Sequence, residues 1–252
     1  MNNENIAVLI PVKSSVEYNN KWVLSDLYLF FCKSFFKFYN DEHKYTIFLG
    51  YQDDDPLYSN KTQQDEIKRF MSVMKNTDVQ MIKFTKKYKG NVVAIWNSLF
   101  DEAMRTETFY KYYIQCGSDI MFSGENFMND AIKALEKNDG FGVVGLKDFG
   151  RYQINPDDKL LTQSIVSFRH YQIFGFYFPP EIINWGCDDW MTEIYEKHNM
   201  VYRLPQKFLN LGGKPRYKID RNYEYNYKKC LKDYGNRIEE YKKFSGELIN
   251  YF

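Results

Sequence analysis

The residues with chemistry to offer here are carboxylates placed where apolar runs end. In YYIQCGSDIMFS (112–123) an aromatic and apolar run reaches Cys116 and Gly117, a single acid follows at Asp119, and apolar residues resume at Ile120. An unpaired buried carboxylate is costly. A lone acid in such a run therefore belongs at a strand end facing a crevice, where it can hold a metal or a ligand; as a plain turn residue it would make an Asx hydrogen bond instead. The triplet Asp53-Asp54-Asp55, followed by Pro56, closes the run YTIFLGY (45–51), and Pro11, Val12 and Lys13 close IAVLIPV (6–12). A further pair, Asp188-Asp189, lies between Trp185 and Trp190 and opens DDWMTEIYEKHN (188–199). Acids there suit a helix N-terminus, and aromatic faces suit sugar rings as well as a core. No GxGxxG or GxxxxGK[ST] follows the first run, and neither HExxH nor a serine elbow is present.

These residues need elements to position them. Short apolar runs at 6–12, 45–51, 79–85, 109–117 and 140–148 read as strands. Helical spacing fills the intervals at 21–40, 63–76, 91–106 and 125–138. Strands alternating with helices predict a mostly parallel sheet covered on both faces. In such a sheet ligands bind beyond the carboxyl ends of the strands, and Lys13, the 53–55 triplet and Asp119 all fall on that edge. After residue 148 the pattern changes: SIVSFRHYQIFGFYFPP (164–180) reads as strand, bend, strand, then come a helix at 188–199, a strand at 200–205, a loop at 210–219 and a charged helical tail from about 224 to 248. His170 falls on the alternating stretch, either packed or facing an acceptor or phosphate.

Composition excludes several classes. The 252 residues are 44% hydrophobic and 19% aromatic, which is no disordered chain. A formal net charge of +1 gives no electrostatic case for nucleic acid or an anionic membrane. The cluster Lys83, Lys86, Lys87 and Lys89 reads as a solvated face. No run approaches the roughly 18 apolar residues of a membrane span, and MNNENIAVLIPVK lacks a signal-peptide pattern. Cys32, Cys116, Cys187 and Cys230 are far apart and form no CxxC, so a reduced, cytoplasmic compartment is expected.

IAVLIPVK, VVAIWNSLFDEAM, QCGSDIMF and NWGCDDWMTEIY, in that order and spacing, resemble family-2-like glycosyltransferases of the GT-A fold over roughly residues 5–217. RHYQIFGFYFP, CDDWMTEIY and GGKPRY look like a subgroup encoded by large DNA viruses, for which the compartment would be the host cytoplasm. The resemblance implies an α/β, GT-A-like (Rossmann-like), mostly parallel sheet flanked by helices, with a transferase domain over 1–220 and a helical C-terminal extension over 221–252. It implies a hexosyltransferase-type enzyme that moves a sugar from a UDP-sugar to a hydroxyl of a glycan, protein or small molecule with inversion, assisted by Mn2+ or Mg2+. Carried over residue by residue, Pro11, Val12, Lys13 and Asp53 to Asp55 would flank the nucleotide base, Asn97 and Ser118 would contact the nucleotide side, and Arg216 would contact the diphosphate or form a structural salt bridge. Gly117-Ser118-Asp119 stands where the family has Asp-x-Asp, so Asp119 would hold the metal without a first acid. Asp188 and Asp189 would supply the base, while His170, Trp185 and Trp190 would line the acceptor.

The missing first acid also fits a nucleotide-sugar binding protein or a degenerate transferase without turnover. A nucleotidyltransferase would show a glycine-rich loop after the first strand, and PVKSSVEYNNK has no glycine.

Overall fold

In a computed structural model, residues 3–88, 90–212 and 217–249 are described, with side chains to residue 245. Eight strands form one mixed sheet in the order β3-β2-β1-β4-β7-β6-β8-β5. They are β1 (Asn5–Pro11), β2 (Lys44–Gln52), β3 (Thr77–Phe84), β4 (Tyr112–Gln115), β5 (Ile120–Ser123), β6 (Val143–Asp148), β7 (Ser164–Ser167) and β8 (Val201–Asn210). β3, β2, β1 and β4 are parallel, as the alternation of strands and helices requires. β7 runs against both β4 and β6, so β6 points the same way as β4. β8 is parallel to β6, and β5 returns antiparallel along the far side of β8.

β1 is apolar throughout because both of its faces are covered. Ile6, Val8 and Ile10 join one core with Ile47, Leu49, Tyr112 and Ile114, while Ala7 and Leu9 join the other with Phe48 and Tyr113. The first core lies under α1 (Lys33–Phe38), α2 (Lys61–Met71) and α4 (Phe127–Glu136); the second lies under α3 (Val92–Arg105) and α7 (Cys187–Glu196). α8 (Tyr223–Tyr234) and α9 (Arg237–Ile249) pack on α7 and α6 (Phe168–Phe174) and add Tyr227, Cys230 and Ile238 to the second core.

The sequence expectations need three corrections, while the helical tail is borne out. The helix expected over 21–40 is a 3-10 turn (Trp22–Leu24), a π-helical turn (Leu27–Cys32) and then α1. The strand–bend–strand expected over 164–180 is β7 followed by α6: Ser167 caps the helix by accepting from the Arg169 N–H, and Gly175 ends it at φ +75°. β5 and α5 (Phe149–Ile154) were not anticipated, and both are too short to show a period. The tail is two helices, α8 and α9.

Candidate active site

The strand-end edge begins where β1 and β2 end. The Val12 N–H donates to the Gly50 carbonyl (2.8 Å), which holds Val12 in the core while Lys13 turns outward. Asp55 is buried and belongs to the scaffold: it accepts from the N–H groups of Ser14 (2.7 Å), Leu57 (3.0 Å) and Tyr58 (2.8 Å), pinning the β1 exit to the β2 turn. Asp53 and Asp54 both pair with Lys87, at 2.5 and 2.8 Å. The hydrogen bond from Lys87 lowers the Asp54 pKa, and nearby Lys13 adds to the effect. Lys87 is thus part of this rim and not only a solvated charge; its place at the exit of the strand beside β2 is the signal that identifies it.

Asp119 follows from how β4 ends. The Gly117 N–H donates to Gln163 Oε1 (2.9 Å), Ser118 is buried, and the Asp119 carbonyl accepts from the Leu211 N–H (3.0 Å). The Asp119 carboxylate lies between two glycines. A Cβ on Gly117 would sit 2.4 Å from Oδ1, and a Cβ on Gly212 only 1.7 Å from Oδ2. A side chain at position 117 would therefore require the Asp119 carboxylate to leave this rotamer. Among the described residues no three His, Cys, Asp or Glu side chains come together. One carboxylate does not fit an all-protein metal site. It fits a hard divalent cation that draws its other ligands from phosphate oxygens and water.

Gly186, at φ +91°, turns the chain into α7 and aims its first turn at the same edge. Asp188 is half-buried, and the Cys187 thiol lies 3.6 Å from its Oδ1. Burial first, and Asp189 second, raise the Asp188 pKa to about 7; the Arg151 guanidinium opposes the rise and Asp148 adds to it. Asp189 is also raised, mainly by burial. Arg151 is held by Asp158, through Nε at 2.8 Å and Nη2 at 2.7 Å. Tyr217 connects the two acids: burial pushes its hydroxyl up to about 12, and Asp188 and Asp119 both add to the rise while a hydrogen bond with Trp185 opposes it. Asp119, Asp188 and Trp185 thus all act on Tyr217. Trp185 is 42% exposed and meets Tyr223 edge-on at 5.8 Å, so its ring is open to a ligand. Tyr217 was not singled out from the sequence, although GGKPRY ends on it.

Three expected contacts belong to the interior. Asn97 accepts from the N–H groups of Tyr177 (3.1 Å) and Phe178 (2.9 Å) and donates to the Phe178 carbonyl (2.8 Å), so its amide clamps backbone and keeps one N–H to spare. His170 is 1% exposed, with Nδ1 2.8 Å from the Tyr195 hydroxyl and Nε2 2.9 Å from the Tyr177 carbonyl, and burial lowers its pKa to about 4. Trp190 is fully buried against Phe174 at 5.2 Å and meets no acceptor. Arg216 lies outside the described residues.

No protein-family model matches the sequence, and no characterised protein matches it by sequence. Structural likeness is extensive. S. aureus TarS 1–349 in complex with UDP superposes with a TM-score of 0.53 at 12% identity, over 88% of this chain and 63% of that one. The same protein with UDP-GlcNAc gives 0.56 at 13%, over 91% and 66%. GalNAc-T7 with UDP, GalNAc and Mn2+ gives 0.62 at 10%, over 92% and 48%. The chain therefore spans less than two thirds of the length of these structures. They are GT-A glycosyltransferases, and at such low identity the likeness establishes one thing, that this chain has the GT-A fold.

Proposed function

We propose that this chain is a glycosyltransferase that moves a sugar from a UDP-sugar to an acceptor hydroxyl with inversion. The observation that carries the reading is the Asp119 carboxylate, set between Gly117 and Gly212 just beyond the end of β4 on the strand-end edge of a GT-A sheet. The complexes of TarS with UDP-GlcNAc and of GalNAc-T7 with UDP and Mn2+ support the choice of donor and cation. The rim formed by Pro11, Val12, Lys13, Asp53 and Asp54 would take the nucleoside. Asp119 would hold a divalent cation, and such a cation would supply positive charge against the leaving diphosphate.

Asp188 is the base. A carboxyl raised to about 7 is substantially ionised at neutral pH and still basic enough to take a proton. It removes the proton of the acceptor hydroxyl as that oxygen bonds to the anomeric carbon, while the bond from that carbon to the β-phosphate oxygen breaks and UDP leaves. Direct attack on the face opposite the leaving group inverts the centre. Asp189 keeps the Asp188 pKa high, and Trp185 offers a face to the sugar ring.

Calorimetry of UDP, GDP and CMP, with and without Mn2+, tests the donor site. UDP binding that needs Mn2+ and is lost in Asp119→Ala is the expected result; no binding of any nucleotide would sink the proposal. Product formation from UDP-sugars then separates a transferase from a donor-binding protein without turnover.

A further inference from the structure

The parallel pairing of β6 and β8 sets Lys147 opposite Lys207, and the pairing of β8 and β5 sets Lys207 opposite Ser123. Register partners on neighbouring strands share a sheet face. Two ammonium groups and a hydroxyl therefore form a row across three strands. Among the described residues neither lysine has a carboxylate within ion-pair distance, and each instead lies over a ring of α5: Lys147 over Tyr152, and Lys207 at 4.7 Å from the Phe149 centroid. Three acids near the row are engaged elsewhere. Asp148 accepts from the Arg151 N–H and the Thr162 hydroxyl, Asp130 accepts from Gln206, and Glu196 accepts from Arg203. A cation–π contact positions an ammonium group without neutralising it. Like charges opposite one another repel, yet the fold sets two ammonium groups side by side here with no ion-pair partner among the described residues.

The row lies beside the candidate site. Lys147 is at the carboxyl end of β6, and β6 points the same way as β4, whose end leads to Asp119. Ser123 is about 10 Å along β5 from Ile120. Asp148, the next residue after Lys147, caps α5, and both Asp148 and Arg151 act electrostatically on Asp188.

We propose that the row Lys147–Lys207–Ser123 binds an anionic group of the acceptor, a phosphate or a carboxylate, and so selects acceptors that carry negative charge near the hydroxyl to be glycosylated. That the ligand is an acceptor rests on the glycosyltransferase reading; that it is an anion rests on the row alone. Lysine serves phosphate as a point charge, and the Ser123 hydroxyl can donate to the same anion. With a net charge of only +1 the attraction is local and not a field of the whole protein.

The test compares binding of glucose, glucose 6-phosphate and glucuronic acid to the full chain saturated with UDP and Mn2+. Wild type is set against Lys147→Ala/Lys207→Ala and Lys207→Glu, with UDP affinity and the thermal midpoint as controls of folding. The expected result is that at least one anion binds about tenfold more tightly than glucose and that both lysine variants erase the difference. Preference for glucose 6-phosphate alone identifies phosphate, and preference for glucuronic acid alone identifies carboxylate. Equal binding of all three ligands, no saturable binding of either anion, or a preference that survives the double substitution overturns the proposal. Loss of all nucleotide binding would instead defeat the transferase reading, and the anion measurement, repeated without UDP, would still decide the row.

Discussion

Asp188→Asn is expected to abolish transfer and at the same time to stabilise the fold above neutral pH. Burial and Asp189 raise the Asp188 carboxyl from its ordinary 3.8 to about 7. At about 1.4 kcal/mol for each tenfold change in proton affinity, that displacement corresponds to about 4 kcal/mol between the two protonation states. Asp188 is only half-buried, so screening by water reduces the effect to about 2–3 kcal/mol. The sign follows from proton counts. Between pH 3.8 and about 7 the native carboxyl holds more proton than the unfolded one, so stability falls as pH rises through that window, and the penalty is complete above it. Asparagine is nearly isosteric, keeps an oxygen toward the Cys187 thiol, and carries no charge to desolvate. Urea unfolding of wild type and variant, at a pH well above 7 and at a pH near 4, is the assay. The variant should gain about 2–3 kcal/mol at the higher pH and almost nothing at the lower. Equal stabilities at both pH values, or a loss at the higher one, would refute the claim that the ionised carboxylate is held against its preference.

Other substitutions separate donor binding from scaffold. Gly117→Asp would complete the Asp-x-Asp pattern, yet its Cβ would lie 2.4 Å from Asp119 Oδ1, so UDP titration should show weaker binding and no gain in metal dependence. Gly212→Ala should displace the same carboxylate from the other side and cost about tenfold or more in UDP affinity, with little change in thermal midpoint because a side chain can rotate away. Asn97→Leu leaves two N–H groups and a carbonyl of the 177–178 segment unpaired; a loss of about 3 kcal/mol in urea unfolding is expected, with UDP affinity of the folded fraction unchanged. The transfer rate should have an acid limb near pH 7, and Asp189→Asn should move that limb downward by removing the neighbouring charge, which a pH profile of kcat/KM reads directly.

Much of the donor half is legible in the sequence because β1 to β4 are buried on both faces and separated by helices with a clear period. Asp119 and Asp188 are legible as acids at element ends. What is not legible depends on distant partners. Gly212 closes on Asp119 only through the pairing of β5 with β8, and Arg151 reaches the acid pair from a helix too short to announce itself. The segment 168–174 misleads for a different reason. Its aromatic residues have strand propensity, but Ser167 and Gly175 bound it as a helix and bury His170 in the core. Asn97 and Trp190 likewise look exposed by type and are claimed by packing.

The pairing of β5 with β8 also sets an order of events during synthesis. Asp119 is made early, but its place against Gly212 exists only once the chain has grown past residue 212. At ribosomal speeds of about 5–20 residues per second, roughly 5–20 s separate the two. Throughout that interval β1, β2 and β3 can already pair with one another, whereas β5 waits without a partner strand. A nascent chain therefore has the β1 and β2 ends in place before Asp119 meets Gly212, and any product terminated ahead of residue 207 leaves Phe122, otherwise buried, without the strand that covers it. Such fragments should be the ones that cellular quality control removes, which ties the setting of Asp119 to a chain that has passed residue 212.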